Sequence, residues 1–113
     1  MKVRELQTLL SAEALSQPEE DREVCSGYTC DLLSWVMAHG AEGMAWVTVQ
    51  THMNVVAVAV LSDMACIVLP EGVRMEGEAL QKAKDEGMAV LTTALTAYEI
   101  CGRLAAQGIP GRA

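Results

Sequence analysis

Apolar positions along the chain alternate between helical and extended spacing. In "VRELQTLL", Val3, Leu6, Leu9 and Leu10 recur at helical spacing and predict a short amphipathic helix. "EALSQ" follows as a short strand. "SQPEEDRE", polar and holding Pro18, reads as a loop. "EVCSG" predicts a strand ending at Gly27. In "TCDLLSWVMAHG" a helical stripe runs through Leu32, Leu33, Val36 and Met37, with Thr29 or Asp31 as N-cap and Gly40 as C-cap. "MAWVTVQ", β-branched and aromatic, is a strand. "ACIVL" is another, closed by Pro70 and Gly72. "EGEALQKAKDEG" has acidic residues early, lysines late and Gly87 at its stop, the charge order a helix dipole favours. "MAVLTT" is the last strand. "TAYEICGRLAAQG" is the last helix, with Tyr98, Cys101 and Leu104 as its expected buried stripe, and "IPGRA" is expected to fray.

"NVVAVAVLSDM" supports two readings. Its β-branched composition suits a hairpin with "WVTVQ". A buried helix capped by Asn54 instead completes a regular alternation of strand and helix, and tertiary context often overrides propensity. With the helix, the pattern predicts one domain over 1–113 (core 3–108, tail 109–113). Its fold class is α/β: a three-layer α/β/α sandwich on a mainly parallel sheet of four to five strands.

Parallel strands put their carboxyl ends on one edge, where open α/β sheets bind ligands and helix N-termini offer N–H groups to anions. The residues expected there are Gly27 and Tyr28; Gln50, Thr51, His52 and Asn54; Glu71 and Gly72; and Thr92 and Thr93. Each also has a simpler use: Thr51 or Asn54 as a helix cap, Gln50 as a partner for loop backbone. An anionic or nucleotide-like ligand is the class this edge would take. If His52 takes part, affinity should rise as pH falls through the usual histidine range near ~6.5.

Charge narrows the partners. With 15 acidic against 8 basic residues, the net charge of −7 lacks the basic footprint that nucleic acid requires. It equally disfavours anionic membrane surfaces. No stretch reads as a signal peptide or a membrane span, so a cytoplasmic location is expected. Without Phe, the core must be built from Val, Leu, Ala and Met. Cys25, Cys30, Cys66 and Cys101 are too scattered for a zinc site, and neither metal nor cofactor is expected. His52 has no nucleophile or paired carboxylate beside it in sequence. Phosphate-loop, G-x-S-x-G and H-E-x-x-H signatures are missing from the chain, so no catalytic residue is assigned.

The stretches "GYTCDLLSWVMAH", "WVTVQTHMNVVAVAVLSDMACIVLPEG" and "ALQKAKDEGMAVLTTALTAYEICGRL" together resemble the DRTGG domain family, in particular a small stand-alone branch found in anaerobic bacteria. The resemblance covers residues 3 to 108. It implies the fold of the N-terminal domain of HPr kinase, also similar to a domain of the Mur ligases. The family is regulatory or of unassigned function and occurs fused to phosphotransacetylases and to inorganic pyrophosphatases. It supplies no established catalytic residues. Where many relatives have a glycine-rich stretch with an Asp-Arg pair, this chain has Gln50, Thr51 and His52, so no role of that pair is transferred.

The expectation is a non-catalytic regulatory or ligand-sensing DRTGG-type module that binds a small anionic or nucleotide-like metabolite or a partner protein, such as a partner enzyme. The alternatives are a scaffold protein with no small-molecule ligand and, third, a small enzyme using His52. A homodimer is expected through the outer side of residues 54 to 61, with Val58→Glu dissociating it or unfolding the chain.

Overall fold

The computed structural model describes residues 1–112. Ten elements follow along the described chain, strand and helix alternating from β2 onward: α1 (Val3–Leu9), β1 (Glu13–Ser16), β2 (Ser26–Thr29), α2 (Leu33–His39), β3 (Met44–Val47), α3 (Met53–Leu61), β4 (Cys66–Leu69), α4 (Gly77–Asp85), β5 (Ala89–Thr92) and α5 (Ala97–Ala106). The strands lie in the order β1-β5-β4-β3-β2. β2, β3, β4 and β5 are mutually parallel, and β1 joins β5 antiparallel. From β2 to β5 the chain steps one strand at a time in a single direction. Crossovers of one hand therefore lay α2, α3 and α4 side by side on one face.

Strand alternation builds two cores, as period-two geometry requires. Met44, Trp46, Ile67, Leu69 and Val90 face α2–α4 and meet Val36, Val55, Val56, Val58, Ala59, Ala79 and Ala83. Ala45, Val47, Cys66, Val68, Ala89 and Leu91 face the other way, against Val3, Leu6 and Leu10 of the α1 segment and Ile100 and Leu104 of α5. The result is a three-layer α/β/α sandwich. Residues 53–61 are helical despite their β-rich composition. α2, α4 and the sheet enclose them on three sides, and Val55, Val56, Val58 and Ala59 are all buried.

Several boundaries differ from expectation, each for a physical reason. β2 runs over Ser26–Thr29 rather than ending at Gly27, because its register is set by β3, with Ser26 opposite Met44 and Thr29 opposite Val47. Val24, read as strand, anchors the α1 layer instead, donating its N–H to the Met1 carbonyl. Leu32, not Thr29 or Asp31, occupies the N-cap of α2 and makes no side-chain cap bond. Gly40 does end α2 but in extended backbone (φ −62°). Its small size is what matters, since a Cβ there would lie 2.7 Å from Ser62 Oγ and 2.8 Å from Met64 Cε. Gly87, at φ +69°, supplies the left-handed turn after α4. On α5 the buried pair is Ile100 and Leu104; Cys101 is half-buried and Tyr98 is 88% exposed. In the tail, Ile109 is half-buried, and Pro110 accepts a hydrogen bond from Gly27 N–H at 2.9 Å; Ala113 lies outside the described residues. Val58 is buried, so Val58→Glu reports unfolding rather than dissociation.

The four cysteines are free thiols. Burial pushes the Cys66 thiol up to about 12 and raises that of Cys101. Among the described residues no three His, Cys, Asp or Glu side chains are grouped to hold a metal ion, and no helix is long and apolar enough to cross a membrane.

Candidate functional site

At the carboxyl edge of the sheet, the loops leaving β2 and β3 are laced together by one carboxylate. Asp31 Oδ1 accepts from Thr48 Oγ1 at 2.8 Å and from Val49 N–H at 3.0 Å. Thr48 Oγ1 in turn accepts from Gln50 N–H at 3.1 Å, while Gln50 Nε2 donates to the Asp31 carbonyl at 3.3 Å. One residue back, Trp46 Nε1 donates to the Cys30 carbonyl at 2.9 Å. The cap of α3 is His52, not Asn54 or Thr51: its Nδ1 accepts from Asn54 N–H at 3.1 Å. That bond requires an unprotonated Nδ1, so the histidine holds a helix end and leaves its other nitrogen, as N–H, turned to other uses. Taking up a proton to attract an anion would cost this cap.

The other half of the edge lies where β4 hands over to α4 on one face and β5 to α5 on the opposite face. Diverging loops of this kind open a crevice in doubly wound sheets. Here the two loops bond across it. Glu71 N–H donates to the Leu95 carbonyl and Gly72 N–H to the Thr93 carbonyl, both at 2.8 Å, with Glu71 and Gly72 at φ +56° and +72°. The hydroxyls of Thr92 and Thr93 are buried and spent, donating to the Val73 carbonyl at 2.6 Å and the Leu10 carbonyl at 2.7 Å. Beside them Arg74 donates two 3.0 Å bonds to Glu13, one to each carboxylate oxygen. These bonds hold the Glu13 carboxyl below the usual range. A carboxyl lowered on folding stabilises the fold above its unfolded titration range, and the contribution fades as pH falls through the folded one.

The structure therefore splits the expected site. Gln50, Thr51, His52 and Asn54 stand together at the β3–α3 handover. Glu71, Gly72, Thr92 and Thr93 belong to the closed crevice. Gly27 and Tyr28 lie inside β2, and Tyr28 packs on the α2 side, away from both loops. The expectation missed Asp31 as the residue that fixes the two loops. It also missed the apolar side chains that the edge exposes beside Gln50, His52 and Asn54: Leu32, expected in the helical stripe of α2, at 62%, Val49 at 46% and Met53 at 38%. Met53 begins a second feature. With Ala57 and Leu61 it forms an outward stripe at i, i+4, i+8 along α3, Leu61 being 77% exposed.

These features define a three-layer α/β domain with an edge fixed by hydrogen bonds and an uncovered central helix. No protein-family model matches the chain, and no curated protein does either. Among solved structures it is similar to the CBS and DRTGG domains of the regulatory region of Clostridium perfringens pyrophosphatase, a structure complexed with the activator diadenosine tetraphosphate. The TM-score is 0.72 at 17% sequence identity, over 96% of this chain and 47% of that one. The chain thus spans about half the length of that region and shares its fold over nearly all of its own length.

Proposed function

We propose that the chain is a non-catalytic regulatory module of the DRTGG type that works as a homodimer, with α3 as the dimer helix. The outer face of α3 carries this reading. A helix apolar all round is ordinarily covered all round. Every residue from Met53 to Leu61 except Asn54 is apolar, yet Met53, Ala57 and Leu61 face outward. A second copy suits this stripe. Ala57 sits midway between two longer side chains, so identical helices crossing at Ala57 set small against small on the twofold axis and approach closely, with Met53 and Leu61 packing on either side of the crossing. α3 also carries no acidic or basic side chain. Two copies of an acidic chain can meet here without opposing their carboxylates.

The fold shared with a nucleotide-activated regulatory region supports the regulatory part of the reading. The state of the carboxyl edge supports the non-catalytic part: the hydroxyls of Thr92 and Thr93 and the Nδ1 of His52 are committed to backbone. With the Asp31 carboxylate at its centre, that edge suits a partner enzyme better than an anion, its apolar Leu32 and Val49 flanked by Gln50 and His52.

Sedimentation equilibrium at micromolar concentration should give twice the mass of the chain. Ala57→Glu, at an exposed position, should give the single-chain mass with the far-ultraviolet circular dichroism unchanged. A wild-type chain that sediments as a monomer would refute the dimer.

A further inference from the structure

The chain has only four Trp and Tyr side chains and no Phe. Trp46 is fully buried, and Tyr98 stands exposed on α5. The other two, Tyr28 and Trp35, converge with His39 on a cleft of about 530 Å³ along the outer flank of β2, with Ala41 and Met44 in its lining and Arg112 contributing a cation. Trp35 and His39 are one helical turn apart, and their rings stack with centroids 4.4 Å apart and planes 25° apart. His39 Nδ1 lies 2.8 Å from the Trp35 carbonyl. A carbonyl only accepts, so Nδ1 is the N–H and the imidazole is held in place by α2 backbone. Met44 is buried, whereas Trp35 is 53% exposed.

No carboxylate lines this cleft among the described residues, although the chain carries a net charge of −7. The other large cleft, of about 660 Å³, is lined by four carboxylates, Glu20, Asp21, Glu23 and Glu42, together with Lys2 and Arg22. An uncrowded indole on an ordered ring stack, a phenol beside it and a guanidinium in the same wall match a flat heteroaromatic ring that carries an anionic group. The volume lies in the range of small-ligand sites.

We infer that this cleft binds a mononucleotide, its base stacked on Trp35 and its phosphate met by Arg112. The cleft shares no lining residue with α3 or with the carboxyl-edge loops, so this inference stands apart from the proposed dimer.

The two indole N–H resonances make the test internal. Trp46 Nε1–H, bonded to the Cys30 carbonyl in the core, serves as the reference, and Trp35 as the reporter. Adenosine monophosphate should shift the Trp35 indole signal and quench its fluorescence while leaving the Trp46 signal in place. Adenosine should bind more weakly for want of the phosphate, and ribose 5-phosphate should not move the Trp35 signal. Trp35→Ala should weaken adenosine monophosphate about tenfold or more. An intact Trp46 signal will show that this variant is folded. Arg112→Gln should bring adenosine monophosphate down to the affinity of adenosine. The inference is overturned if millimolar adenosine monophosphate leaves the Trp35 signal unmoved, if ribose 5-phosphate binds equally well, or if Trp35→Ala retains wild-type affinity.

Discussion

Trp46→Ala should leave the domain at the margin of folding. Trp46 is the largest fully buried side chain and stands in the middle of β3, against the core formed with Val36, Val55 and Ile67. Truncation of a buried tryptophan to alanine costs about 3–5 kcal/mol. It also strips the Cys30 carbonyl of its indole donor. A domain of this size has a net stability of only about 5–15 kcal/mol. The urea midpoint, followed by circular dichroism, should fall far below wild type. Trp46→Phe should recover most of the loss, because it refills volume and forgoes only the hydrogen bond. A shift for Trp46→Ala of less than about 1 kcal/mol would mean that the layer under α2 and α3 is not packed as described.

Asp31→Ala should produce the second large loss, by a different route. It removes two hydrogen bonds to a charged acceptor, from Thr48 Oγ1 and Val49 N–H, and separates the two loops they join. Bonds of this type contribute about 1.5–3 kcal/mol, so a fall in Tm of roughly 8 °C is expected. Asp31→Asn keeps an oxygen acceptor in the same place and should restore most of the stability. If alanine and asparagine behave alike and both resemble wild type, the carboxylate is not the lace between the loops.

Much of the fold was legible because the apolar period changes at nearly every boundary. For residues 54–63, β-rich in composition, the alternation of strand and helix favours a helix over a hairpin, and the helix observed runs over Met53–Leu61. What failed depended on neighbours distant in the chain. β2 lies two to three residues later than its composition implies, since β3 and not the local pattern sets its register. Tyr98 satisfies the helical period as well as Ile100 does, and only the way α5 lies on the sheet decides between them. The handover at Gln50 to Asn54 was visible as a polar break in an apolar run. That His52 rather than Asn54 caps the helix follows from a start two residues earlier than a cap at Asn54 implies, at Met53. Asp31 was hidden altogether, because its partners stand 17 and 18 residues away and meet it only through the parallel pairing of β2 with β3. The aromatic cleft had one visible clue: Trp35 falls off the stripe expected through Leu32, Leu33, Val36 and Met37, of which only Leu33 and Val36 turn inward, leaving a large ring on the outer flank of α2 with His39 one turn on.

The central claim, that α3 is the dimer helix, is tested most directly by a cross-link. In a Cys25→Ser background, which removes the exposed native thiol, Ala57→Cys would bring two copies of the new thiol together where the helices cross. Mild oxidation should convert this variant to a covalent dimer. Lys84→Cys, exposed on α4, should stay monomeric under the same treatment. Equal cross-linking of the two variants, or none at position 57 in a chain that sediments as a dimer, would contradict the assignment.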